Sequence, residues 1–562
     1  MEVFDTDVLV LGGGGAAARA AVEAARSGVT VTMAVKGKFG SCGSTATGKS
    51  EAMAISAAIG YGDPRDNPEV HFKDTVEVGQ GLCDERLVRI LVDEAPQRLF
   101  ELVKLGAKFD VEGDKLKQRM SDAATYPRVC GSKGITGKII LDALTDELRR
   151  LDVNIVENAM VTKLLTRNST VIGATVVDLK TGTLDVFRAK SVILATGGGG
   201  QVFLYNAFTP DMTGDGYALA YDAGAELVNM EFVQMGPALI HPYVRVISGS
   251  LWRLNPRVYN AGKEQFLGRY LPSGLTPEDL FKIKTFPFTT RTKAMYLDLA
   301  IYSEIKAGRG TEHGGVYFDV THVPEDVVKS APITFNDLLS RGLDMRKQPI
   351  EIGIAAQNFN GGVRINERTE TSVTGLYVAG EVAGGVRGPD RPGGNALAEC
   401  QVFGARAGKY AAERAKSVQL SEVDLKDVDK QRRELDGIVG RSGGLEPRSV
   451  AKKIQRVMWE NVCVARNRMG LEHALGELQK IKRDMLLKVY ASKTSLMEAL
   501  SLRSLILTGE AVAAAALTRE ESRGNHYRED FPQRNDEKWL NNILLRKIGQ
   551  KMVTEIVKPQ RI

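Results

Sequence analysis

A short apolar run, Asp7-Val8-Leu9-Val10-Leu11, breaks into four consecutive glycines, Gly12 to Gly15, and then into an alanine-rich stretch over 18–26 that stops at Gly28. The run suits a buried parallel strand and the stretch suits a helix, with a second strand over 29–35. That is one complete βαβ unit with G-x-G-x-x-A spacing at Gly12, Gly14 and Ala17. In such a unit the first glycine makes the tight turn and the second lets a pyrophosphate approach. The third small residue lets helix and strand pack, and the free N–H groups at the helix start bind phosphate. After the second strand the chain reads Val35-Lys36, with no carboxylate to hold a ribose. That argues against NAD and leaves open FAD, held mainly through its pyrophosphate.

Two further strand-and-glycine signals lie far downstream, at 191–200 and 375–381. Three glycine-terminated strands predict one cofactor domain assembled from separated segments, 1–232 and 349–418. Between them, 233–348 shifts to a mixed aromatic and polar composition with prolines at 237, 242, 256, 272, 277 and 287, as an inserted domain would. From 419 to 562 the pattern turns helical, with charge on one face over 422–435, 450–469, 471–490 and 496–519. The expected class is α/β: a Rossmann-like FAD-binding domain, an inserted α+β capping domain and a C-terminal helical domain.

Composition narrows the class little. Of 562 residues, 43% are hydrophobic and 26% charged, which suits a globular chain of several domains. A net charge of +6 spread over that length is no basic face for nucleic acid. The five cysteines, Cys42, Cys83, Cys130, Cys400 and Cys463, form no CxxC pair. The chain is therefore not expected to hold a metal site or an iron–sulfur cluster by itself. No run of about 18 apolar residues suggests a membrane span. The first strand starts too early for a signal peptide, so a cytoplasmic location is expected.

Several stretches together resemble the flavoprotein subunits of succinate dehydrogenase and fumarate reductase, a family that includes L-aspartate oxidase and is related to the adenylylsulfate reductase flavoprotein. They are LGGGGAAARAA at the N-terminus, ATGGGGQVF at 195–203, TGDGYALAYDAGAELVNMEFVQ at 213–234, GRGTEHGGVYFD at 308–319, GLYVAGEVAGG at 375–385, DRPGGNALAE at 390–399 and ESRGNHYREDFPQRNDEKWL at 521–540. The resemblance covers nearly the whole chain. It implies FAD along the first βαβ unit, with Gly12, Gly14, Gly15 and Ala17 at the pyrophosphate and Lys36 at the end of the second strand. Ser44, Thr45 and Gly48 would line the flavin, with Thr196, Gly197 and Gly198 in the second motif. Asp215 and Glu381 match acidic positions near the flavin side chain. Asn395, Ala396 and Leu397 match a helix start facing the flavin, where the helix dipole favours negative charge. Many relatives attach FAD through the His of a Ser-His-Thr sequence. Here Ser44 stands in that place, so the FAD is expected to be non-covalent.

The substrate side departs from the family, which uses two His and two Arg around a dicarboxylate. Gly236 stands for the first His and Gln357 for the second. Leu299 is the position matched to the general-acid Arg, and only Arg391 survives. A charged contact to a carboxylate is worth roughly 1.5–3 kcal/mol, so three such losses argue against efficient succinate or fumarate chemistry. Gly236 and Gln357 would make the pocket roomier and more neutral. Replacement cations could come from the inserted segment: His241, five residues past Gly236, or Arg245, Arg253, Arg291 or Lys293. The candidate catalytic residues are therefore Arg391, Gln357, His241 and Arg291. The expected function is that of an FAD-dependent oxidoreductase subunit which transforms a small anionic substrate other than simple succinate or fumarate. An iron–sulfur protein subunit would exchange its electrons and could hold it at the inner face of a membrane. The alternatives are succinate/fumarate interconversion with relocated residues, and an electron-relay flavoprotein with a decayed substrate site.

Overall fold

The computed structural model describes residues 1–50, 52–328 and 332–562. A seven-stranded sheet forms its centre, in the order Asn154–Glu157, Val31–Val35, Val3–Leu11, Leu184–Leu194, Thr170–Asp178 and Ala159–Arg167, with Leu376–Val378 pairing to Leu184–Leu194. The first four strands and Leu376–Val378 are mutually parallel, and the last two pair antiparallel. Val8, Leu9, Val10 and Leu11 are fully buried, as a parallel strand covered on both faces requires. The three glycine-ended strands seen in the sequence are thus neighbours in one sheet.

Helix Gly15–Arg26 packs against helix Asn395–Ser417 at very short range. A Cβ at Gly404 would come 2.8 Å from the Ala16 carbonyl oxygen, and one at Gly408 would overlap the Ala20 carbonyl. This close crossing explains the alanine-rich first helix: only small side chains fit on both surfaces.

A separate antiparallel sheet runs Arg245–Val246, Val233–His241, Ile350–Phe359, Val316–Asp319, Arg257–Tyr259. Its membership runs past residue 348, because Ile350–Phe359 is its middle strand, paired along its length with Val233–His241. The strand after the inserted segment therefore belongs to this sheet, not to the cofactor sheet.

Towards the C-terminus come helices Leu425–Val439, Pro447–Val462, Arg468–Asp484 and Leu496–Thr518, at the positions where helical patterning is read. Leu496–Thr518 is long and apolar enough to cross a membrane, with a mean hydropathy of 1.4. Yet 72% of its most apolar window is buried, packed against the two preceding helices and Asp215–Ala223. A feature unread in the sequence closes the chain: hairpin Asn542–Ile548/Lys551–Val557 pairs with Leu227–Val228.

Between that hairpin and the last long helix, the segment 519–536 carries a buried ion network. Arg519 Nε donates to Glu231 at 2.7 Å, and its guanidinium lies 3.1 Å from Glu521. Glu521 in turn takes Arg523 Nε at 2.6 Å, and all four side chains are fully buried. Removing one partner of a buried pair strands the other charge. Arg519→Ala is expected to lower unfolding stability by about 3–5 kcal/mol, read by chemical denaturation of the FAD-loaded protein; a loss below about 1 kcal/mol would mean the network contributes little.

Candidate active site

The parallel strands end at a cleft, at the carboxyl edge of the sheet where α/β folds place ligands. Gly12, Gly14, Gly15, Lys36, Ser44 and Thr45 line it from the N-terminal βαβ unit and the loop after it. Thr196, Gly197, Asp215 and Glu381 line it from segments farther along the chain. Gly12 has φ +128°, and a Cβ there would overlap the Ala195 carbonyl oxygen, so strand ends 11 and 195 could not meet around any larger residue. Gly14 differs: a Cβ there would find only Thr45 Oγ1, at 3.6 Å. No packing contact demands that glycine, and the free space beside it is the cleft. Helix Gly15–Arg26 starts there with no side-chain cap, and Gly15 N–H donates to Thr45 Oγ1 at 3.1 Å. Free amides, a helix dipole and a glycine without steric neighbours suit a pyrophosphate. The residues present fit FAD.

The other expected cofactor residues stand behind the lining. Ala17 is fully buried between helix and sheet. Gly48 ends the short helix Gly43–Thr47, beneath Met53. Gly198 is where Glu381 packs, since a Cβ would come 2.5 Å from Glu381 Oε1. Asn395 begins helix Asn395–Ser417, but its side chain is buried against His71 Nε2 at 2.8 Å and Thr75 Oγ1 at 3.2 Å, so it anchors the helix start. Burial and the nearby Arg128 push the His71 imidazole down to about 4, leaving it neutral. Ala396 and Leu397 are half-buried in the first turn, with no side-chain cap over them.

Lys36 reaches the cleft wall, but its ammonium is engaged. It donates to Thr213 Oγ1 at 2.7 Å, Asp215 Oδ2 at 2.8 Å and Ser501 Oγ at 3.0 Å. Ser501 lies on Leu496–Thr518, so this lysine ties the second strand to the C-terminal helices. Two cysteines unread as site residues, Cys42 and Cys400, also line the cleft. Burial pushes their thiols up to about 11 and about 12, so both stay uncharged. Widely spaced cysteines carry no pattern that could have marked them.

Beyond Glu381 the chain leads into a second cluster. Glu381 accepts the Phe359 N–H at 2.8 Å, and burial still holds its carboxyl above the usual range. Arg387 is neutralised by Glu399 at 2.6 Å and donates to the Phe359 carbonyl, also at 2.6 Å. Arg391 has no such partner among the described residues. Its Nε is buried without a hydrogen bond, and Nη1 has only the Pro392 carbonyl at 3.4 Å. Burial and the Arg387 charge both disfavour its cationic form. Asp390 does not pair with the Arg391 guanidinium: Oδ1 accepts the Arg391 backbone N–H at 2.9 Å and Gln234 Nε2 at 2.8 Å, while Oδ2 stands 4.0 Å from Arg291. Arg291 and Arg391 therefore flank one buried carboxylate.

Gln357 is picked out by the backbone. Gln234 faces Asn358, whereas Met235 faces Ala356, so Gln357 is the extra residue of a β-bulge. Bulges often re-aim a side chain beside an active site. The roomier pocket expected at Gly236 is not found: the Phe286 ring lies where a side chain would stand, 2.6 Å from a Cβ built there. His241 does not join the cluster. It pairs in register with Glu351, six residues from Gln357 and so roughly 20 Å along the strand. There it is exposed and stacked on His313, 3.5 Å between ring centres. Arg245 is held by Asp337 at 2.7 Å, and Arg253 and Lys293 are exposed. Among the proposed replacement cations of the described residues, Arg291 alone reaches Asp390. Among those residues, too, no group of three or more His, Cys, Asp or Glu is placed to hold a metal.

Comparison with known proteins agrees with this cleft. The FAD binding domain model matches residues 7–397, and the fumarate reductase flavoprotein C-term model matches 451–561. The chain is 39% identical to a subunit of the fumarate reductase (CoM/CoB) of Methanothermobacter marburgensis, over 97% of each chain. It is 30% identical to the chloroplastic L-aspartate oxidase of Arabidopsis thaliana, over 96% of this chain and 83% of that one. The structure of Mycobacterium smegmatis Sdh1 in complex with UQ1 superposes with a TM-score of 0.88 at 29% identity, over 100% of this chain and 95% of the other. With its glycine-rich cleft matched across residues 7–397 and its C-terminal helices by a second model of the same lineage, the chain belongs to the FAD-dependent oxidoreductases of the fumarate reductase and succinate dehydrogenase flavoprotein family.

Proposed function

We propose that this chain is the catalytic flavoprotein of an oxidoreductase complex acting on a small organic acid with one anionic group, other than simple succinate or fumarate. The observation that carries the reading is Arg391, a guanidinium with a buried, unbonded Nε and no ion pair among the described residues. The guanidinium is half-buried and is offset only through space by Glu399, Glu381 and Asp390, so a substrate carboxylate would supply the charge-assisted hydrogen bonds it lacks. Arg391 would bind that carboxylate through its planar fork. Arg291, across Asp390, adds a second positive charge at the same end. At the other end, Gln357 offers one donor and one acceptor group without charge, and Phe286 fills the space beside Gly236. FAD, when bound in the cleft, supplies hydride exchange with the acid.

Further parts of the reading rest on separate supports. The nucleotide would be held by Gly12, Gly14, Gly15, Thr45, Thr196, Gly197 and Asp215. Residues 233–348, whose strands join Ile350–Phe359 in a sheet separate from the cofactor sheet, would act as a cap that excludes water during hydride transfer. An iron–sulfur subunit would carry the electrons, consistent with a relative named as one subunit of a larger enzyme. Such a complex would sit in the cytoplasm or against the inner face of a membrane. A second reading, succinate/fumarate interconversion, is favoured by that relative's name and by the Arg291–Asp390–Arg391 grouping. Anaerobic assays with reduced viologen as electron donor and a panel of unsaturated acids, fumarate included, separate the two.

Two outcomes are expected. Arg391→Lys keeps the charge but loses the fork, so turnover of the accepted acid should fall at least about tenfold, near 1.4 kcal/mol, with FAD content unchanged; equal turnover would assign Arg391 to the scaffold. Ser44 cannot form a histidyl–flavin bond and instead donates to Met212 Sδ at 2.9 Å. Acid precipitation should therefore release all the flavin, and fluorescence retained on the denatured protein band would contradict non-covalent binding.

A further inference from the structure

Helix Leu496–Thr518 is one of the C-terminal helices, yet one of its faces backs the cofactor cleft. Ser501 and Thr508 on it are two turns apart and so share that face. Both meet the turn Thr213-Gly214-Asp215 that opens helix Asp215–Ala223. Gly214 has φ +80°, and a Cβ there would overlap Thr508 Oγ1. Ser501 Oγ lies 3.3 Å from Thr213 Oγ1. It gives its own proton to the Met497 carbonyl at 2.8 Å, which leaves its lone pairs to accept Lys36 Nζ at 3.0 Å.

Lys36 carries this contact into the cleft. Its ammonium also donates to Thr213 Oγ1 and to the Asp211 carbonyl, and it stands 2.8 Å from Asp215 Oδ2. Thr213 Oγ1 donates to the other Asp215 oxygen at 3.0 Å. The Lys36 and Asp215 side chains both line the cleft and are only 13% and 12% exposed. In a dinucleotide-binding βαβ unit an acidic residue about twenty positions beyond the glycines meets the ribose. Here the second strand runs into Lys36, and the carboxylate at that place is Asp215, brought from a later helix.

We propose that Ser501 is a positioning residue for the adenosine half of FAD: by fixing the Lys36 ammonium, it holds the Asp215 carboxylate at the ribose position. The proposal goes beyond the substrate reading above and rests only on FAD as the cofactor. The C-terminal helices are then part of the nucleotide site.

The test uses the full-length chain stripped of flavin and titrated calorimetrically with two probes. ADP carries the adenosine and the pyrophosphate, and FMN carries the flavin and one phosphate. In Ser501→Ala the Kd for ADP should rise at least about fivefold, because a hydrogen bond to a charged group is lost, while that for FMN stays within about twofold. In a Lys36→Met background the same substitution should change the ADP Kd by less than about twofold, since Ser501 acts through that ammonium. Thermal midpoints of the variants report folding. If the stripped chain aggregates or binds ADP too weakly to titrate, flavin fluorescence recovered on diluting the FAD-loaded protein gives the FAD Kd for the same four-member cycle. Equal rises for ADP and FMN, no rise in the Kd measured, or an undiminished effect in the Lys36→Met background would assign Ser501 to packing and overturn the proposal. Each of these outcomes leaves the substrate reading standing.

Discussion

The parallel pairing of three distant strands holds the rest in place. Leu11 lies beside Leu194, and Leu194 beside Val378, so three strand ends from separate parts of the chain finish at one level. A parallel ladder permits this only through long crossovers, and those crossovers carry the other sheet and its substrate-side residues. Gly12 closes the arrangement, because the Ala195 carbonyl occupies the place of any side chain there. The phosphate-binding turn and the meeting of the first two strand ends are therefore one constraint.

Charge organises the region beyond the flavin cleft. Arg387 is neutralised by Glu399, and Asp390 is satisfied by amides on one oxygen with Arg291 near the other. Arg391 is half-buried, its Nε has no hydrogen-bond partner among the described residues, and Glu399, Glu381 and Asp390 act on it only through space. The fully paired network of Arg519, Glu231, Glu521 and Arg523 pins the chain just before Gly524. Among the described residues, the Arg391 Nε and the Asn525 amide are buried without hydrogen-bond partners.

The cofactor half of the site was legible because its chemistry is local in sequence. Strand, glycine turn and helix follow one another within residues 7–26, and the repeat of that signal near 192 and 376 pointed to one sheet. The substrate half was read less well. Gly236 suggested empty space, but the Phe286 ring, fifty residues away, fills it. His241 looked transferable because it follows Gly236 closely, yet strand extension carries it along the sheet to His313. On the cofactor side, Lys36 lines the cleft, but only the tertiary structure shows that its ammonium is bonded to Asp215, Thr213 and Ser501.

Periodicity and glycine spacing, read by themselves, determined the βαβ unit and its cleft for a dinucleotide, because backbone conformation and helix dipoles depend on residues next to one another; FAD followed from the family resemblance of the motifs. Tertiary structure alone decided which charges are satisfied. The bulge that re-aims Gln357 depends on its register with Gln234 and Met235, and the burial of Asn525 on its packing at Pro389, all distant in sequence, and a buried polar group is defined by what surrounds it.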